Sequence, residues 1–152
     1  MGHLAGCREH RRASKVKAFL EFKPNLGQKG DRVAWSVKVT EEYAAWFTTL
    51  IKDDLASAIQ VAQAVAALRE EGPALGRPLV DRIQGSRIHH LKELRPGSAA
   101  RSEIRVLFAF DPTRSALLLL GGDKAGNWQR WYRENIPVAE QLYLEYTTEE
   151  QE

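Results

Sequence analysis

The chain has 152 residues, 43% of them hydrophobic and 28% charged, with a formal net charge of +2. That length fits one domain able to bury roughly 70% of its unfolded surface, and no apolar run approaches the roughly 20 residues a helix needs to span a bilayer. The single cysteine, Cys7, excludes an internal disulfide and a cysteine-based zinc site, and fits a reducing cytosol.

Charge is unevenly spread. Residues 1–32 carry a net of +5, 33–76 a net of −3 and 77–133 a net of +6, while the stretch from Glu134 onward has six carboxylates and no Lys or Arg. Cations therefore concentrate where strand patterns occur. Such a distribution suits a polyanion surface, and equally suits ordinary solvated surface.

Residues 1–32 lack a sustained period and read as a basic extension, disordered or a misassigned start, with Val33 as an alternative initiation site. Ser14 to Phe22 offers a short basic helix that Pro24, Gly27 and Gly30 would end. The remaining domain is expected over 33–148. Trp35, Val37 and Val39 alternate with Ser36 and Lys38 and predict a strand. Thr40 then caps a helix with Glu41 and Glu42 in its first turn and an apolar stripe of Tyr43, Trp46, Phe47, Leu50 and Ile51.

Asp53 or Asp54 caps a second helix to about Glu70, with Leu55, Ile59, Ala62, Val65, Ala66 and Leu68 as its expected buried side and Gly72-Pro73 as its stop. The two helices should form an αα-hairpin on one face of a sheet. Pro73 to Ser86 reads as a loop anchored by Leu75, Leu79, Val80 and Ile83.

Three strands should follow between Ile88 and Lys124. The first has polar groups on both parities and is expected at or near an edge. Pro96-Gly97-Ser98 opens a flexible hairpin loop that also carries Arg101. In the second strand Ile104, Val106, Phe108 and Phe110 share one face and Arg105 lies on the other. An arginine in mid-strand costs desolvation unless its face meets solvent or an anion. Ala116 to Leu120 is apolar throughout and should be central, with Gly121-Gly122 closing it and delivering Lys124 into a loop. Asn127 can cap a short segment WQRWYREN, and Pro137 suits the first turn of a final helix with Ile136, Ala139, Leu142, Tyr143 and Tyr146 on its apolar side.

Glycine-rich phosphate loop, metal-ligand cluster and nucleophile–base pair are all missing from the pattern, and no cofactor is expected. His89 and His90 are adjacent and would point to opposite faces of a strand. The Arg, Lys, Glu and Tyr gathered around one sheet suit metal-free RNA cleavage, where the substrate supplies its own 2′-hydroxyl nucleophile. Tyr can act as acid there if nearby cations lower its pKa. Trp128, Trp131 and Tyr132, beside Arg130 and Arg133, interleave aromatic and basic groups as stacking on unpaired bases requires. Trp131 is more simply read as packing its helix on the sheet.

LKELR followed by IRVLFAFD, LLLLGGDK and a terminal WY-containing helix, with LGRP and AWSVKVT upstream, resemble the HigB-type toxins of the RelE superfamily over about Ala34 to Tyr146. The resemblance implies an α+β, RelE-like fold, with two N-terminal helices packed on a small, mostly antiparallel sheet and a C-terminal helix. It also implies a metal-independent, ribosome-dependent endoribonuclease acting on translated mRNA in the cytoplasm. The implied partners are mRNA on the ribosome and a cognate helix-turn-helix antitoxin, with no membrane. Arg105 matches the family's mid-sheet arginine as stabiliser of the phosphate or transition state. Glu93 as base and Arg95 as phosphate contact share its face, Lys124 falls where the family places a cation, and Tyr132 falls near its C-terminal aromatic. Some relatives carry paired lysines where this chain has Leu91 and Glu93, so Lys92 or His90 remains an alternative base. Lys92, His90, Arg101, Arg130, Arg133 and Trp131 complete the expected RNA contacts. The rival expectation is a non-catalytic module that grips RNA or an antitoxin.

Overall fold

The computed structural model describes residues 16–17, 34–97 and 101–151. In chain order the elements are β1 (Val16–Lys17), β2 (Ser36–Thr40), α1 (Glu41–Asp53), α2 (Leu55–Glu71), a 3-10 turn (Gly72–Ala74), β3 (Val80–Arg82), β4 (Lys92–Leu94), β5 (Ile104–Phe110), β6 (Ser115–Asp123) and α3 (Trp128–Gln151). The strands form one sheet in the order β1-β2-β6-β5-β4-β3. β2 and β6 run parallel; the other described pairs are antiparallel. Among the described residues the architecture is α+β, with three helices and a mostly antiparallel sheet. The strand expected at Trp35–Val39 is β2, ahead of the helix pair, so the two helices are N-terminal to the later strands and not, as the resemblance implied, to the whole sheet.

Strand parity in β5 and β6 builds two cores. Ile104, Val106 and Phe108 join Val37, Val39, Leu118 and the inner sides of α1 and α2 in one. Leu107, Leu117, Leu119 and Leu120 meet Ala139, Leu142 and Tyr146 of α3 in the other. A register shift between Leu107 and Phe108 lets both Leu119 and Leu120 contribute to the second core. No helix among the described residues is long and apolar enough to cross a membrane.

Capping fixes where the helix pair begins and turns. Thr40 accepts a hydrogen bond from the Tyr43 amide (3.1 Å) and donates its hydroxyl proton to the Leu119 carbonyl, joining the start of α1 to β6. Asp54 takes the cap of α2 by accepting from the Ser57 amide at 3.1 Å. Gly72 ends α2 at φ 60°, and a Cβ there would strike the Trp35 indole at 2.2 Å.

Several expectations change. The buried side of α2 is Ala58, Val61, Ala64, Val65 and Leu68, while Leu55, Ile59, Ala62 and Ala66 are exposed. Alanines all round this helix blur its apolar period, and close approach to the sheet selects the face. Within the expected loop 73–86, Val80–Arg82 forms the edge strand β3. β4 is thereby an interior strand, with Leu91 and Leu94 fully buried. The two expected terminal helices are one, with Pro137 inside α3. Proline there removes a single amide from the ladder. β6 runs through both glycines to Asp123. Of the N-terminal extension, Val16–Lys17 pair with β2 as a strand, where the sequence allows a helix. Its other residues, and Ser98 of the hairpin loop, lie outside the described residues.

Candidate functional site

The sheet face beneath the first turns of α3 brings together Arg105, Glu93, Arg95, Tyr132 and Lys124. Arg105 sits opposite Gly122 in β5–β6, and Glu93 opposite Leu107 in β4–β5, so both side chains rise from the α3 face. The Arg105 guanidinium donates from Nη1 to the Ile104 carbonyl (2.8 Å). Its Nε is buried without a hydrogen-bond partner. Donors left so cost about 1–3 kcal/mol.

Glu93 is almost wholly buried. Its Oε2 accepts from the Tyr132 hydroxyl at 2.6 Å, and its Oε1 lies 3.8 Å from Arg95 Nε. Arg95 Nη1 is also 3.7 Å from Asp81 Oδ2 in β3, which Arg77 Nη2 approaches to 2.9 Å. Charges therefore alternate from Arg77 through Asp81, Arg95 and Glu93 to the phenol. Hydrogen bonds from Arg77 and from the Arg82 amide hold the Asp81 carboxyl below its usual range, against a smaller effect of burial. Lys124 Nζ is 3.6 Å from Glu103 Oε2 and 5.6 Å from the centre of the Tyr132 ring. Asp123 Oδ1 fixes that corner by accepting from the amides of Glu103 and Ala125, both at 2.9 Å.

Burial, followed by the bond to Glu93 and that carboxylate's charge, pushes Tyr132 up to about 12, while the neighbouring Arg105 pulls it down less strongly. This reverses the expectation of a phenol acidified by cations. At neutral pH Tyr132 is a protonated donor that orients Glu93.

Other expected contacts lie elsewhere. Lys92 is on the opposite sheet face, its Nζ 5.4 Å from the Phe110 ring centre. His90 precedes β4 and shares a 2.7 Å hydrogen bond with Tyr143, three turns or about 16 Å along α3 from Tyr132. Burial, then the nearby His89 and Lys92 charges, lowers its pKa. Neither side chain joins the Arg105–Glu93–Tyr132 cluster. Arg130 is exposed and paired with Glu134 at 2.8 Å, and Arg101 and Arg133 are exposed. Trp131 packs over Gly122, where a Cβ would come within 2.5 Å of its Nε1. Trp128, expected only as part of the aromatic cluster, is 55% exposed and meets Tyr132 edge to face at 6.4 Å.

Asp81 was missed because its stretch reads as a loop, although its spacing of four from Arg77 is visible in the sequence. Among the described residues no group of three or more His, Cys, Asp or Glu could hold a metal ion.

Residues 45–144 match the model of a family described as phage-derived protein Gp49-like (DUF891). The chain belongs to the Gp49-like family. Two curated relatives come from Mycobacterium tuberculosis, and both are named as candidate toxins. HigB2 is 48% identical over 116 residues, which cover 76% of this chain and 56% of HigB2. HigB3 is 57% identical over 96 residues, covering 63% of this chain and 79% of HigB3. The matched stretch thus spans little more than half of HigB2. Within the Gp49-like match fall Glu93, Arg95, Arg105, Lys124 and Tyr132, so the whole cluster belongs to the family region.

Proposed function

We propose that this Gp49-like protein is the toxin of a toxin–antitoxin pair with a RelE-like fold, and that it cleaves translated mRNA on the ribosome in the cytoplasm. The observation that carries the reading is the buried, unpartnered Nε of Arg105 on the same face as the Glu93–Tyr132 pair. A phosphate oxygen is the acceptor that this donor suits, and Arg95 and Lys124 supply further positive charge at the rim.

The chemistry needs no cofactor. Glu93 accepts the proton of the ribose 2′-hydroxyl as that oxygen attacks the adjacent phosphorus. Arg105 and Arg95 stabilise the charge that grows on the non-bridging oxygens. The bond from phosphorus to the 5′-oxygen then breaks, that oxygen takes a proton from Tyr132, and Tyr132 recovers one from Glu93. The products are a 2′,3′-cyclic phosphate and a 5′-hydroxyl, and the protein ends in its starting protonation state. Proton transfers of this kind contribute about 10²–10⁴-fold. Names of the relatives support a cognate antitoxin, for which a helix-turn-helix protein is the expected class.

Expression of the full chain with and without Arg105→Ala or Glu93→Ala tests the reading. The unmutated protein should arrest growth and cut translated mRNA, and each variant should lose both while retaining antitoxin binding. Growth without arrest and intact translated mRNA from the unmutated chain would leave the alternative, a non-catalytic module that binds RNA or an antitoxin.

A further inference from the structure

We infer that Trp128 forms a base-stacking subsite for the nucleotide next to the scissile phosphate, while its neighbour Trp131 is a packing residue. This inference rests on RNA being the substrate of the Arg105 cluster.

Among the candidate-site aromatics, Trp128, Trp131 and Tyr132, only Trp128 keeps most of its surface open, at 55%. Trp131 is partly buried, lying across Gly122 and against the second core. Trp128 stands at the first position of α3, where helical side chains lean toward the N-terminus and so overhang the preceding loop. That loop carries Lys124, whose Nζ lies 5.6 Å from the Tyr132 ring. Asn127 fixes the start of the helix by accepting from the Arg130 amide at 3.1 Å. Tyr132 lies four residues, about 6 Å, further along the same helix face, meets the indole edge to face and holds Glu93. A base laid on the open indole would therefore carry its phosphate toward Lys124 and Arg105. Stacking takes any base, because every base has a π-face, so this contact would position the strand without reading its sequence. One exposed apolar side chain is unremarkable alone. One turn from the Glu93–Tyr132 pair, after a loop that carries a lysine, it has the placement that unpaired nucleic acid uses.

The test measures binding of a short, labelled single-stranded RNA, 2′-O-methylated throughout to block cleavage, to the full chain. The same RNA with one nucleotide made abasic, moved along the strand, is measured in parallel. Trp128→Ala and Trp128→Leu should bind about 5- to 150-fold more weakly, and Trp128→Phe should recover much of the loss. At one position the abasic substitution should weaken binding to the unmutated protein by a similar factor and have no further effect in Trp128→Ala. The leucine variant keeps the apolar bulk, so loss there points to the aromatic face. Unfolding midpoints equal to that of the unmutated chain would show that all three variants are folded. Undiminished binding by Trp128→Ala and Trp128→Leu, or an abasic scan that is the same with and without the indole, would overturn the subsite and leave the RNA reading intact. An unmutated chain that binds RNA no better than its Arg105→Ala variant would overturn the RNA reading itself, and this inference with it.

Discussion

Gly121 and Gly122 are neighbours in β6 and so meet opposite layers of the molecule. A Cβ on Gly122 would lie 2.5 Å from Trp131 Nε1, and one on Gly121 would lie 2.4 Å from Trp46 Cζ3. Both indoles are rigid rings held between sheet and helix, so relief requires the helix to shift. Overpacking of this kind costs about 1–3 kcal/mol, partly offset by the roughly 0.4–1 kcal/mol that alanine contributes by restricting the unfolded chain. Gly121→Ala and Gly122→Ala should each lose about 1–2 kcal/mol of stability, read as a lowered urea midpoint at unchanged slope. Their effects on cleavage should separate. Trp131 abuts Tyr132, with ring centres 5.2 Å apart, and Tyr132 holds Glu93. A displaced Trp131 therefore moves the hydrogen-bonded Glu93–Tyr132 pair, whereas Trp46 lies on the far face. Misplacement by about 1 Å is worth up to about 100-fold in rate. Measured on programmed ribosomes without urea, Gly122→Ala should cleave about 10- to 100-fold more slowly and Gly121→Ala within about threefold of the unmutated protein. Equal losses of cleavage in the two variants, or no change in stability for either, would refute this account.

Arg105→Ala should abolish cleavage with little change in the urea midpoint, because removing the unpartnered Nε offsets the loss of the Nη1 bond to the Ile104 carbonyl; a strongly destabilised variant would show that the guanidinium is structural. Tyr132→Phe should cost about 1–3 kcal/mol, the range for losing a hydrogen bond to a carboxylate. Since the folded phenol titrates near 12, above its ordinary 10, its contribution is complete below pH 10 and fades between about 10 and 12. The phenylalanine variant should therefore show a shallower alkaline loss of stability across that window, and parallel curves would contradict it. Asp111 behaves in the opposite sense. Burial raises its pKa, but hydrogen bonds from Tyr146, Thr113 and Ser115 outweigh that and hold it below the usual carboxylate range. Its contribution is complete above about pH 4 and is lost as pH falls further, so Asp111→Asn should be less stable at neutrality and flatter in acid unfolding. Replacing Lys124 by Ala should weaken RNA binding and make its salt dependence shallower, by about 0.7 in the log–log slope for each phosphate charge left without its cation; an unchanged slope would place Lys124 outside the RNA path.

Where a pattern had one physical cause, sequence and structure agree. Period two in Ile104–Phe110 reports a strand with two covered faces, and its parity set Arg105 beside Glu93 and apart from Lys92. Thr40 and the α1 stripe were legible for the same reason, apart from Ile51, which is exposed. Leu91–Leu94 was misread as an edge because Glu93 looks like a solvent residue; its partners Tyr132 and Arg95 come from other segments. In α2 the alanines permit two apolar faces, and only tertiary contact selects one. Long-range fit also decided the glycines of β6 and the division of labour between Trp128 and Trp131, since composition cannot show which indole finds a glycine to cover.

Lys38 Nζ donates to the Tyr146 hydroxyl at 2.6 Å, and that hydroxyl donates to Asp111 Oδ2 at 2.6 Å, so β2 and the far part of α3 are clasped beneath the sheet. The parallel pairing of Ser36–Val39 with Ser115–Leu118 has a temporal counterpart. During synthesis β2 emerges early and must wait for β6, through both helices and three other strands, before it gains its inner neighbour. Tyr132 emerges later still, in the helix that roofs Arg105. The Glu93–Tyr132 bond therefore forms only after the codons of every other member of the cluster have been read.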